Sequence, residues 1–189
     1  SGWSDPSFET SDINGLQNFD KYGVMVGNCC QSNAFDSPEC FGEGLLRADN
    51  KGAVGYIGGS NNTYWDEDYW WAVGNTSNIT ANPTYAGTGL AVFDCLMHEN
   101  GEIQDDWFIT TGQMLHSGNL AVTQAGASLT QYYWEIYHIM GDPSLMPYIG
   151  VPTALTVSHG AATPVGATSF TVNTEENAYV AISMNGVLL

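Results

Sequence analysis

Two short apolar runs separated by one helical segment constrain this chain more than anything else in it. Residues 22–28 (YGVMVGN) are apolar and bounded by Gly and Asn, the pattern of a buried strand. Residues 39–51 carry Cys40, Phe41, Leu45 and Leu46 at helical spacing, with Gly52 as the expected C-cap. Residues 53–58 (AVGYIG) read as a second buried strand. Strand, helix and strand within about thirty-five residues make a βαβ unit, which requires parallel strands and a crossover. The fold class is therefore α/β. Ligands of such sheets meet the carboxyl ends of the strands. Both strands run into polar sequence there, Asn28-Cys29-Cys30-Gln31-Ser32 and Gly58-Gly59-Ser60-Asn61-Asn62, and the functional site is expected at that edge.

The flanks are less regular. Residues 1–20 are polar, with Trp3, Phe8, Ile13 and Leu16 widely spaced, and predict surface loop with one helical turn. Residues 63–74 (TYWDEDYWWAVG) mix five aromatic and three acidic side chains. Helices are expected over 109–125 and 128–140, the second stopped by Gly141-Asp142-Pro143-Ser144. After Val151-Pro152 the pattern changes to Thr/Val/Ala alternation with turn residues, which predicts β-sandwich strands and a domain boundary near residue 150. Residues 178–189 read as a strand, a turn at Asn185-Gly186 and a second strand just begun. That ending, and Ser1 in place of an initiator Met, predict a piece of a longer protein.

Charge narrows the partners. Among 189 residues, 3 Lys+Arg face 20 Asp+Glu, a formal net charge of −17. A nucleic-acid binder tracks phosphates with clustered basic residues, and this chain lacks them. Anionic membrane surfaces are disfavoured for the same reason, and no apolar run reaches the length of a spanning helix. Cationic partners fit.

The candidate chemistry lies in the cysteines and the acidic-aromatic segment. Cys29, Cys30, Cys40 and Cys95 contain no C-x-x-C pair, which disfavours zinc. Cys40 and Cys95 read as buried structural thiols. Cys30 lies just past a strand end in a polar loop, where a nucleophile would project into the cleft and its own backbone N–H could help bind an oxyanion. A thiol nucleophile needs a base, normally His. Of His98, His116, His138 and His159, none carries a motif, and His116 is the least unsuited. Asp66-Glu67-Asp68 among aromatics fits a solvated helix N-terminus, a cation pocket with aromatic walls, or, with Asp105-Asp106, part of a calcium site. Sugar binding on the aromatics also stays open.

The run Gly27-Asn28-Cys29-Cys30, then Cys40-Phe41-Gly42-Glu43, Tyr56-Ile57-Gly58, and Tyr64-Trp65 with Glu67-Asp68-Tyr69 resembles the gingipains, secreted bacterial cysteine endopeptidases with a caspase-like fold. Ser117-Gly118-Asn119-Leu120-Ala121, Tyr132-Tyr133-Trp134-Glu135 and Met146-Pro147-Tyr148 extend the likeness, which is closer to the lysine-specific than to the arginine-specific branch. Tyr179–Ser183 and Asn185–Leu188 resemble the immunoglobulin-like domain that follows the catalytic domain there. The resemblance implies a caspase-like sheet flanked by helices over 1–150, the C-terminal part of a catalytic domain. The start of an immunoglobulin-like β-sandwich would follow over 151–189.

It also implies Cys30 as nucleophile, Asp68 at the base of the pocket for a substrate lysine, Asn62 as a polar neighbour and Trp65 as an aromatic wall. The family's catalytic His would fall a few residues upstream of Ser1, in a His-Gly motif. Asp66 departs from the pattern, since the lysine-specific enzymes carry a small neutral residue there. Expected partners are protein or peptide substrates with Lys, or Arg, before the cleaved bond, and the expected location is secreted or at the bacterial cell surface. No catalytic cofactor is implied, and a structural calcium stays open. An inactive homologue that binds basic peptides, and an acidic-aromatic module for carbohydrate, are the alternatives.

Overall fold

The computed structural model describes residues 2–188 other than Asp5, Thr76, Ser77, Glu99, Asn100, Glu102, Gln104, Asp105, Pro152 and Asn177. It divides into two compact units, Ser1–Ile149 and Gly150–Leu189.

The first unit is built on a three-stranded mixed sheet of order β3-β4-β5. Strand β3 (Gly23–Gly27) pairs parallel with β4 (Ala53–Gly59). Helix α1 (Phe41–Arg47) connects them, as the βαβ reading requires. It starts at Cys40, whose backbone N–H donates to Glu43 Oε2 at 2.9 Å. It ends at Arg47 with Ala48 as C-cap, shorter than the 39–51 expected. Gly52 is not the cap: its φ of +90° serves the turn into β4, where any side chain would collide with Leu45 O.

Strand β4 splits the core into two. Tyr56 packs with Ile13, Phe41, Leu45 and Ala53 against α1, while Ile57 faces the opposite side of the sheet. That second face is covered by α2 (Trp65–Val73), α3 (Thr111–Gln124) and α4 (Thr130–Ile136). Its cluster holds Ile57, Trp71, Val92, Met114, Val122 and Tyr133. Trp71 is its anchor. The indole is fully buried, stacks on Tyr137 at 4.0 Å and donates from Nε1 to Asn119 Oδ1 at 3.1 Å.

Two further expectations are corrected. Residues 1–20 contain a hairpin, β1 (Gly2–Ser4) with β2 (Ser7–Glu9), before the helical turn Thr10–Gly15. The helix expected over 128–140 stops at Ile136, and Tyr137–Gly141 forms β5, antiparallel to β4. The open edge of β4 supplies a ladder for these residues, and that tertiary pairing overrides the local helical spacing.

In the second unit β6 (Ser158–His159) pairs with β7 (Val172–Asn173), and β8 (Ser183–Met184) with β9 (Val187–Leu188). The Asn185-Gly186 turn joins β8 to β9 with φ of +53° and +80°, the signature of a type I′ hairpin turn. Among the described residues these are two short antiparallel pairs.

Candidate active site

Beyond β3 the chain turns across the carboxyl edge of the sheet. Gln31 adopts a left-handed φ of +56°. Its N–H donates to Asn61 O at 3.0 Å, and the N–H of Asn33 donates to Gly59 O at 2.9 Å. The polar ends of β3 and β4 are thus joined, and Cys30 stands exposed between them. Its Sγ accepts the Thr63 N–H at 3.2 Å and lies 3.6 Å from both Thr63 Oγ1 and Thr63 O. Cys29 is half-buried, and Cys40 and Cys95 are buried as expected. Burial pushes the Cys40 thiol up, away from the reactive thiolate form.

Thr63 leads directly to Asp68. Its hydroxyl donates to Asp68 Oδ2 at 2.6 Å. On the other oxygen, Oδ1, the hydroxyls of Tyr133 and Tyr137 lie at 2.9 and 2.8 Å. The Tyr137 hydroxyl also lies 2.7 Å from Asn28 Oδ1, and Asn28 Nδ2 donates to Asp68 O at 3.0 Å. Burial pushes the Asp68 carboxyl above its ordinary range, and bonds from Thr63, Tyr137 and Tyr133 oppose the shift by favouring the charged form. Burial also drives both phenols upward, so they remain protonated donors. Asp68 lines a cavity of about 450 Å³ with Asn28, Trp65, Ala72, Val73 and Ile79 among its walls. A carboxylate in a largely apolar recess suits a cation carried on an aliphatic stem.

The expected site residues separate into two groups. Cys30 and Asp68 are brought together through Thr63, and Trp65 stands at the cavity rim, 93% exposed. Asn62 is not among the cavity's lining residues. Its Oδ1 accepts from Gln31 Nε2 at 3.2 Å, and its carbonyl accepts the Tyr132 hydroxyl at 2.9 Å. The three acids occupy the first turn of α2, but only Asp66 is exposed; Glu67 is buried. A purely solvated helix N-terminus is thereby corrected.

Each histidine packs on an aromatic ring. The pairs are His98 with Trp107, His116 with Trp134, His138 with Phe35 and His159 with Phe170. None of the four is a hydrogen-bond partner of Cys30 among the described residues. Asp105, half of the calcium reading, lies outside those residues, and among them no group of three or more His, Cys, Asp or Glu could hold a metal. Thr63, Tyr133 and Tyr137 were not singled out by the sequence for this site. The only signal was the density of tyrosines at 132, 133 and 137, which the expectation of one continuous helix spread over a different surface.

Compared with known families, residues 1–148 match Peptidase family C25. The chain belongs to this peptidase family. Lys-gingipain of Porphyromonas gingivalis is 40% identical over 193 residues, 98% of this chain and 11% of that protein. Lys-gingipain W83 of the same species is 40% identical over the same shares. A solved structure described as "Structure of Protease" is 39% identical with a TM-score of 0.88, covering 100% of this chain and 42% of that one. The Arg-specific cysteine proteinase gingipain R is 21% identical with a TM-score of 0.75, over 93% of this chain and 37% of that one, a likeness of fold. The peptidase-family match thus includes the Cys30 loop, α2 and β5. The chain spans about a tenth of the length of its Lys-gingipain relatives, 11% as measured on the first.

Proposed function

We propose that the chain forms the C-terminal part of a cysteine endopeptidase domain that hydrolyses peptide bonds after basic residues, Lys in the first place. One observation carries the reading: an exposed sulfur at a strand's carboxyl end is joined through a single residue to a carboxylate that lines a largely apolar cavity. The substrate's ammonium would pair with Asp68 while its methylene stem lies along Ala72, Val73 and Ile79, with Trp65 closing the rim. Asn62 would support the nucleophile loop through Gln31 rather than touch the lysine.

Catalysis would need a base, and the reading takes it from a His upstream of Ser1. That His would accept the Cys30 proton. The sulfur would attack the carbonyl carbon, and backbone N–H groups, that of Cys30 included, would stabilise the oxyanion. The proton would pass to the leaving amine, and water would release the acyl-enzyme. No cofactor enters these steps, and a calcium ion would serve structure only. Secretion or display at the cell surface, and an immunoglobulin-like identity for 151–189, belong to the same reading.

The test is cleavage of matched peptides with Lys, Arg or Ala before the scissile bond by the full-length protein. Lys-selective cleavage is expected, abolished in Cys30→Ala and reduced about a hundredfold or more in Asp68→Asn, the scale for leaving a buried cation unpaired. Equal cleavage after Lys and Arg would keep the nucleophile and overturn the Asp68 selectivity. A folded protein without Cys30-dependent turnover would instead be a binder of basic peptides.

A further inference from the structure

We propose that Thr63 is a positioning residue through which an ammonium group in the Asp68 cavity raises the reactivity of the Cys30 sulfur. A basic side chain would then be selected in the chemical step as well as in binding. The inference rests on the site reading above and deepens it.

Three contacts of one residue carry the argument. The Thr63 N–H donates to Cys30 Sγ at 3.2 Å, Thr63 Oγ1 stands 3.6 Å from the same sulfur, and that hydroxyl donates to Asp68 Oδ2 at 2.6 Å. The last bond has a fixed direction, because an ionised carboxylate only accepts. The Thr63 oxygen therefore offers the sulfur its lone pairs. The thiol S–H has two acceptors on this residue at the same 3.6 Å, Thr63 O and Thr63 Oγ1. When it turns to Oγ1 a chain runs one way, from the thiol S–H to Thr63 Oγ1 and from the Thr63 O–H to the carboxylate. Bonds in such a chain reinforce one another. A strongly accepting carboxylate makes Oγ1 a better partner for the thiol proton and also sets a negative charge near the sulfur.

An ammonium beside Asp68 reverses both influences. It offsets the charge and weakens the pull on the Thr63 proton, so the thiol proton can leave to the proposed upstream base. The Thr63 N–H stays on the sulfur and stabilises the charge left there. The segment around it is braced for this. The Asn62 N–H donates to Asn61 Oδ1 and the Tyr64 N–H to Tyr133 Oη, each at 2.8 Å, which fixes the direction of the intervening N–H.

The experiment separates binding from chemistry. The full-length protein is treated with two peptidyl chloromethyl ketones, from which the sulfur displaces chloride, one ending in Lys and one in norleucine. Inactivation constant and affinity are measured separately. With saturating reagent, Lys should inactivate about tenfold faster than norleucine, the effect of one hydrogen bond's worth of free energy. Thr63→Val should bring the two inactivation constants together while the affinity for the Lys reagent changes less than about twofold. Thr63→Ser, which keeps the hydroxyl, should restore the difference. Thr63→Ala replaces the Val variant if that one does not fold. Equal inactivation constants in the wild type, or a Thr63→Val effect confined to affinity, would overturn the coupling while Cys30-dependent cleavage kept the nucleophile. Cleavage that survives Cys30→Ala would overturn both.

Discussion

At the scale of single residues, Asp68 feels burial and hydrogen bonding in opposite senses, and burial prevails. A raised carboxyl takes up its proton at a higher pH than the ordinary value of about 3.9, and once protonated it no longer pairs with an ammonium. Affinity for Lys substrates is therefore expected to be complete at neutral pH and to fall away on acidification above the ordinary carboxylate range. Tyr137→Phe removes a donor that favours the charged form, so the loss should begin at a still higher pH. Asp68→Asn should abolish this acid limb altogether. Measuring KM for a Lys peptide against pH in the three proteins decides it; an unchanged limb in Tyr137→Phe would exclude the phenol's part. The strand-end position of Cys30 was legible from the apolar run before it, and the role proposed for Asp68 came from the family resemblance. Thr63 and the two tyrosines were not legible. The tyrosine hydroxyls reach Asp68 across 65 and 69 residues of chain, and no local pattern encodes a contact of that span.

At the scale of elements, the seam between α2 and α3 is set by Trp71 and the small residue opposite it. A Cβ added at Gly118 would stand 2.7 Å from the Trp71 Nε1 and 2.9 Å from its Cδ1, in a fully buried environment. Gly118→Ala is expected to destabilise the fold by about 1–3 kcal/mol through overpacking. Asn119→Ala strands the indole N–H, at a similar cost of about 1–3 kcal/mol. Urea denaturation of both variants measures this, and near-wild-type stability for Gly118→Ala would mean that the helices separate without penalty. The sequence marked β3, α1 and β4 because their periodicity and flanking Gly residues agree. It failed at Tyr137, where Tyr132, Tyr133, Ile136 and Tyr137 suit a helix locally and β4 decides otherwise.

At the scale of the molecule, all three basic side chains, Lys21, Arg47 and Lys51, lie before residue 52. Two already have partners, Arg47 with Glu39 at 3.5 Å and Lys51 with Asn14 O at 2.8 Å. The net charge of −17 therefore acts on approaching ligands as a nearly single-signed field. Association with cationic peptides should slow as salt shortens the range of that field to about 3 Å near 1 M. A several-fold fall of kcat/KM for Lys peptides between low and high salt, with kcat unchanged, is the expected result; insensitivity to salt would remove the steering argument. The α/β class could be read because one βαβ unit suffices to define it. The base could not be found within the chain, and the structure gives every histidine an aromatic neighbour instead of the Cys30 sulfur.

The hydrogen bond between Asn28 and Tyr137 joins residues 109 positions apart, and β5 is the last strand of the first unit. During synthesis the Cys30 loop leaves the ribosome long before the strand that braces it. A nascent chain therefore carries its thiol before the Tyr137 hydroxyl can reach Asn28 and Asp68. The order in which the polypeptide is made thus leaves the Asp68 carboxyl without this phenol's bond until the last strand of the first unit is in place.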